Sequence, residues 1–345
     1  METKPVPSSI QKKSSFLKLG GIIDGQSLLL LGVFITLFIF FGIMENKFLS
    51  VRSITSMGYQ LPELGVLTLA MMITIITGGI NLSVNATSNL AAVVAGLFIV
   101  RMIPEGAAPG LVWFFVFLAI VLALLVGLIC GILNGFLVGY IGVPPILATL
   151  ATLTLFTGIS TGLTGGATVT GFPDQLSVIG NKPFLGIPIP FIIFVLLTIL
   201  TYVILYRTTF GFKTRMLGTN PIASNFSGIN NKSVLMKVYI ISCIFSAITG
   251  LLTMSRTMSA AYEYGTTTYV LLTILITVLG NITAGFGNVL NIFIAVLILQ
   301  ILSTGFHMVL LGIRGSSFFK DFSWGVLLIL IFIINYFVRR RKAQE

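Results

Sequence analysis

The chain of 345 residues is 56% hydrophobic and only 8% charged, with a mean hydropathy of +1.07. Soluble domains carry roughly 25% charged residues, which excludes a water-soluble globule. The net charge of +11 has too little polar surface around it to form a soluble nucleic-acid-binding face, so it is read as a topology signal.

Residues 1–26 are polar and basic, with Lys4, Lys12, Lys13 and Lys18. The first apolar run, Leu28 to Met44, leads into Glu45-Asn46-Lys47 and not into a small-residue cleavage site, the pattern of a retained signal anchor. Apolar runs recur at about 60–80, 84–101, 111–140, 144–163, 190–206, 238–257, 267–280, 288–308 and 320–338. A membrane-crossing helix needs about 20 such residues. The pattern therefore predicts an all-α fold, a polytopic membrane helix bundle of about ten transmembrane helices with N- and C-termini cytoplasmic. A single transmembrane domain at 27–338 is expected between basic tails at 1–26 and 339–345.

Charge tests the even count. With the N-terminus inside, residues 1–26, 207–237 and the tail from Arg339 hold 13 of the 20 basic residues. Six of the nine acids fall on the outer side, as the positive-inside rule expects. Trp113 and Trp324 fall at predicted outer interfaces.

No Gly-rich loop followed by Lys-Ser or Lys-Thr occurs, so the chain does not bind ATP in the P-loop manner. Cys130 and Cys243 sit in apolar runs without metal-ligand spacing and are expected as core residues. The lone His307 is expected as a packed helix residue. No catalytic residue and no metal ligand is proposed from the sequence, and no nucleic-acid partner.

Gly127, Gly131, Gly135 and Gly139 recur every four residues and form one helical seam for close backbone approach. Gly158 and Gly162 repeat the spacing. Two polar interruptions, TIITGGINLSVNATSN at 74–89 and TVLGNITAGFGN at 277–288, divide apolar helices. Backbone groups left unpaired toward lipid cost several kcal/mol each, so these segments are expected to be buried in protein or to line a path, with Thr77, Gly78, Asn81, Ser83, Asn281 and Thr283 as path candidates. Two tight turns with capping residues explain the same pattern. In 210–229, Asn220 suits an N-cap, Pro221 the first helical position and Gly228 a C-terminal stop. The short helix between them carries Ile222 and Phe226 on one face. Such a face fits a groove on a cytoplasmic partner or lies on the membrane surface.

Four segments make the chain resemble the permease subunits of ribose-type bacterial ABC importers, which serve monosaccharides and autoinducer-2. GGINLSV at 78–84 is similar to the family's GGIDLSVG, and GILNGFLVGYIGVPPILATLATLTLFTGI at 131–159 to its Asn-Gly to Thr-Leu stretch. LGTNPIASNFSGI at 217–229 resembles the family's cytoplasmic loop, and VLGNITAGFGNVL at 278–290 matches its Gly-Gly-rich segment weakly. The resemblance implies a multi-pass protein of the bacterial inner membrane with three partners: a second permease, identical or different, a cytoplasmic ABC ATPase and an extracytoplasmic solute-binding protein. It implies no cofactor on this chain, ATP being bound and hydrolysed by the ATPase. It makes 217–229 the coupling loop, with Asn220, Pro221, Ile222, Ala223, Phe226 and Gly228 at the ATPase contact. The chain departs from the pattern at Asn81, where the family has an acid, and at Asn85, where it has Gly. These departures suit the divergent half of a heterodimer or an atypical solute. An ion-coupled secondary transporter is the alternative, although the acids (Glu45, Glu63, Glu105, Asp174, Glu263, Asp321) are expected near outer helix ends and not at mid-membrane.

Overall fold

The computed structural model describes residues 24–310 apart from residue 105, together with Phe322 and Gly325; of residues 266 and 267 it describes only the backbone. The expectations for residues 1–23, the run at 320–338, Trp324 and the 339–345 tail lie outside the described residues.

Among the described residues the helices are α1 (Gly25–Met44), α2 (Val51–Ile76), α3 (Val84–Met102), α4 (Pro109–Phe136), α5 (Pro145–Thr164), α6 (Asp174–Asn181), α7 (Ile189–Arg207), α8 (Thr209–Thr219), α9 (Pro221–Phe226), α10 (Asn231–Thr257), α11 (Thr266–Leu279) and α12 (Val289–Val309). A π-helical turn, Leu137–Ile141, extends α4, and Gly142 at φ +87° ends it before Pro144-Pro145 starts α5. A two-residue antiparallel pair, β1 (Pro183–Phe184) with β2 (Ile187–Pro188), precedes α7.

Among the described residues eight helices are long and apolar enough to cross a membrane: α1, α2, α3, α4 with its π turn, α5, α7, α10 and α12. The protein is a polytopic helical bundle. The apolar run at 267–280 forms α11, whose 14 residues span about 21 Å, short of the roughly 30 Å hydrocarbon layer. Helix α2 starts nine residues before its apolar run, because the Ser50 side chain accepts from the Ser53 N–H and caps an amphipathic first stretch.

Helices α2, α3, α10 and α12 are mostly buried, whereas α1, α4, α5 and α7 turn much of their apolar surface outward. In lipid there is no reason to hide apolar side chains, so the outer helices can leave them exposed. The glycine seam joins α4 to α10. A Cβ on Gly127 would stand 2.7 Å from that of Ala247, one on Gly135 2.8 Å from Met236 Cα, and one on Gly139 2.9 Å from the Lys232 carbonyl oxygen. Gly158 and Gly162 do not repeat this packing: among the described residues no atom of another element comes within 4 Å of a Cβ built at either. His307, expected among packed residues, is exposed on the last turn of α12, while Cys130 and Cys243 are buried free thiols.

One end of the bundle gathers the start of α1, the α2–α3 and α11–α12 breaks, the α4–α5 turn and the α7–α10 connection with Arg207, Lys213, Arg215, Lys232 and Lys237. The links are direct: Gln26 Nε2 donates to the Leu279 carbonyl at 3.3 Å, and Ser27 Oγ to Asn291 Oδ1 at 2.6 Å. We call this the basic end. At the opposite end α6 packs on the last turn of α10, where Asn181 Nδ2 donates to the Ser255 and Arg256 carbonyls at 3.3 and 3.1 Å.

Candidate translocation and coupling site

At the basic end, α9 forms as its local chemistry requires. Asn220 Oδ1 accepts from the N–H groups of Ile222 and Ala223, both at 3.0 Å, Pro221 occupies the first helical position, and Gly228 takes φ +77° after the last turn. Asn231 ties the helix back to α10, accepting from Ser224 Oγ and donating to the Pro221 carbonyl, both at 2.8 Å. The remaining face is apolar and open: Ile222 is 69% and Phe226 88% exposed.

Helix α8, which the sequence did not announce, connects this face to both broken helices. A Cβ on Gly218 would overlap the Ile76 carbonyl oxygen and meet the Gly285 nitrogen, so only glycine lets α8 seat there. The Gly285 N–H itself donates to the Ile76 carbonyl at 2.8 Å, linking one break to the other. Beside it the Tyr206 hydroxyl donates to the Gly287 carbonyl at 2.5 Å, and the Arg215 guanidinium stacks on the Tyr206 ring at 3.8 Å. Asp24 stands at the same junction. Burial raises its carboxyl pKa, but hydrogen bonds from Ser27, Asn288 and Asn291 outweigh that and leave it below the ordinary aspartate value.

The first break is a buried polar knot. Asn81 Oδ1 accepts from the Ser83 N–H at 3.1 Å and its hydroxyl at 2.7 Å, and Asn81 Nδ2 donates to Ser242 Oγ at 3.0 Å. Asn134 donates to Ser83 Oγ at 2.8 Å and accepts from Thr152 Oγ1 at 2.6 Å. Ser242 is the twelfth residue of α10, roughly 16 Å from its start, so the knot lies well inside the bundle. The six path candidates therefore separate. Asn81, Ser83 and Thr77 are buried, with Thr77 bonded back to the Thr74 carbonyl and Gly78 turning the chain at φ +85°. Asn281 is exposed at φ +54°, and Thr283 closes a small turn with Phe286. The two breaks meet through Ile76 and Gly285, not through these side chains.

A third break escaped the sequence reading. A Cβ on Gly250 would fall against the Ser88 carbonyl, which sets Ser88 level with a point seven residues before α10 ends. Asn89 Nδ2 donates to the carbonyls of Tyr262 and Tyr264, and Asn85 Nδ2 also to Tyr264, each at 2.9 Å. Residues 258–265 thus turn back about 10 Å into the bundle before α11 begins. Asn85, the departure from the family's glycine, holds this segment. Beside it, Arg256 Nε pairs with Glu63 Oε1 at 2.5 Å. Glu63 is 3% exposed in the middle of α2, next to Pro62 and not at the outer end where it was expected. Arg256 Nη2 donates to the Tyr264 hydroxyl at 3.0 Å, and the Tyr269 hydroxyl lies 3.5 Å from Glu63 Oε2. An Asn within an apolar run and a Glu beside a helical Pro were the available signals for Asn134 and Glu63. Nothing local marks their partners. Among the described residues no group of three or more His, Cys, Asp or Glu stands where it could hold a metal ion.

Broken helices joined inside an apolar bundle, with an irregular polar interior, define a multi-pass membrane permease. The chain belongs to the branched-chain amino acid transport system / permease component family, which matches residues 53–335. It is 35% identical over 318 residues to the ribose import permease protein RbsC of Bacillus subtilis (strain 168), covering 91% of this chain and 92% of that protein. It is 29% identical over 339 residues to the autoinducer 2 import system permease protein LsrD of Yersinia pestis, covering 93% and 97%. The same identity holds for LsrD of Yersinia pseudotuberculosis serotype O:3 (strain YPIII). No solved structure matches. The protein is thus a permease of the ribose-type ABC importer family and a multi-pass protein of the bacterial inner membrane.

Proposed function

We propose that this chain pairs with a second permease to carry a sugar or sugar-like solute, with the basic end in the cytoplasm and α9 seated on a separate ABC ATPase. The open Ile222–Phe226 face carries this reading, because it is continuous through α8 with both broken helices. ATP would be bound by that partner, and this chain would need no cofactor of its own. Closure of the ATPase pushes α9; α8 follows because Asn220 ends one helix and caps the next. Gly218 then bears on Ile76 and Gly285, where α2 and the α11–α12 turn meet. Substrate class follows the relatives, whose names specify ribose and autoinducer 2, with an extracytoplasmic binding protein delivering the solute. The domain limits, a transmembrane unit at 27–338 with its coupling loop at 207–237 between two cytoplasmic tails, belong to the same proposal.

An ion-coupled transporter would use Glu63, the one buried acid among the described residues. Its carboxylate is already paired with Arg256, so the couple is neutral and offers no vacant acid to load. The test is co-purification of the tagged chain with the ABC ATPase encoded in its own transport system. The double substitution Ile222→Asp and Phe226→Asp is expected to abolish ATPase recovery while leaving the chain's melting temperature unchanged, since both side chains are exposed. Full recovery with the double variant would sink the coupling role.

A further inference from the structure

We infer that the apolar groove formed by α1, α2, α7 and α12 holds one acyl chain of an anionic phospholipid, with Arg52 and Lys182 binding its phosphate. The inference needs only that the bundle lies in a membrane, and it is independent of the coupling role of α9. The groove has a volume of about 330 Å³ and is lined by Phe34, Phe38, Ile54, Phe191, Leu297 and Ile301 among others. Helix α1 leans on α12 while α7 leans on α2, and the groove lies between these two pairs in the half of the bundle away from the basic end. Ile54 and Ile187 on its rim are half exposed, so it is open at the side. Among the described residues Thr55 is the one polar side chain on the lining, and a polar solute would give up its hydrogen bonds to water there. Volume excludes a helix from another chain. A helix about 10 Å across would fill 330 Å³ in roughly 4 Å of length, less than one turn, whereas a hydrocarbon chain is thin enough to enter.

The mouth of the groove is basic. Arg52 stands three residues before Thr55 on α2, so it shares that face of the helix about 4.5 Å nearer the end of the bundle. Lys182 comes from the other wall. Its carbonyl accepts from the Ile189 N–H at 3.5 Å, and the Pro183–Pro188 pair of the hairpin follows directly, with Pro188 on the groove lining. Both side chains are exposed, and among the described residues neither makes an ion pair. Glu45, the acid of the neighbouring α1–α2 turn, accepts from the Lys47 N–H at 3.3 Å within its own turn. Two cations at the end opposite the basic one run against the distribution that orients such a chain. Orientation does not explain them, and a bound phosphate accounts for both. The hairpin tip marks the depth. Phe184 and Leu185 are exposed apolar side chains beside Lys182, Leu185 at φ +52°. That arrangement seats the tip in the membrane interface with its cation at headgroup level.

The test uses the full chain purified in a nonionic detergent. Dioleoyl phosphatidylglycerol is the anionic probe, and dioleoyl phosphatidylcholine, with the same acyl chains and no net charge, is the contrast. Phosphatidylglycerol is expected to raise the melting temperature saturably and to be retained as one lipid per chain in native mass spectrometry, and phosphatidylcholine to do neither. Combining Arg52→Gln with Lys182→Gln should raise the half-saturating phosphatidylglycerol concentration about thirtyfold, about fivefold for each cation. Both side chains are exposed, so without lipid this double variant should melt with the parent. Thr55→Trp, which fills the groove and keeps both cations, is the second variant and should abolish retention. No retained lipid, the result if another part of the chain or a second copy covers the groove, would overturn the site. Equal effects of the two lipids, or unchanged half-saturation in the double variant, would do the same. Recovery of the ATPase depends on none of these outcomes, so the importer reading is judged separately.

Discussion

Gly131 sits where α4 crosses α10 most closely. A Cβ there would stand 2.5 Å from Ile240 Cα and 2.9 Å from the Tyr239 carbonyl oxygen. Both are backbone atoms of the helix that packs most extensively on α4, so no rotamer change relieves the clash. The shortfall from ordinary van der Waals contact is about 1 Å, and close-packed helices transmit such a strain along their length. Overpacking of this kind costs about 1–3 kcal/mol. Replacing glycine by alanine also favours a helix by up to about 1 kcal/mol, a gain that any helical glycine shares. Gly158 in α5 is the matched control, because nothing lies within 4 Å of its would-be Cβ. The expectation is that Gly131→Ala melts below the parent and Gly158→Ala melts at or above it, a gap of about 1–3 kcal/mol between the two variants. The assay is thermal unfolding of the purified chain in mild detergent. Equal melting temperatures for the two variants would refute the claim that the four-residue glycine spacing is a backbone contact.

Arg256→Ala would leave Glu63 buried without its cation, and the expected loss is about 3–5 kcal/mol, read by the same unfolding assay. Combining it with Glu63→Gln should recover much of that loss, because the isolated charge is gone; a double variant no better than the single one contradicts the pairing. Asn81→Ala removes the acceptor for the Ser83 N–H and hydroxyl and the donor to Ser242. Each buried group left unsatisfied costs about 1–3 kcal/mol, so this variant should unfold earlier than Asn281→Ala, whose parent side chain is exposed. An Asn281→Ala effect as large would contradict the buried knot.

Local chemistry is legible in one dimension. Asn220-Pro221 and Gly228 delimit α9 because a cap, a fixed φ and a positive φ act on the nearest few residues, and the helix stands where they put it. Apolar runs located the described spans because bilayer thickness sets their length. The basic residues of 207–237 likewise collected at one end, and the four-residue glycine spacing marked a real seam. The same spacing at Gly158 and Gly162 carried no contact, because whether a partner helix lies opposite is not a property of the helix itself. The fate of the two polar interruptions also required the third dimension: their nearest approach is a backbone bond between Ile76 and Gly285, which no side-chain inventory can reveal.

The largest omission was the segment at 258–265. Its residues, Met258 to Gly265, read as an ordinary outer loop, and it bends inward because Asn85 and Asn89, more than 170 residues away in the chain, supply donors to its carbonyls. Glu63 and Arg256 are separated by 193 residues, and each alone read as a charge near a helix end. By itself the sequence determined the membrane, most of the described spans, the bounds of the short helix α9 and the family, since those follow from composition, short-range capping and shared motifs. Tertiary structure alone decided which buried polar groups meet, because in a low-dielectric interior each donor and charge must find its partner wherever the packing of α2, α3 and α10 brings one within reach.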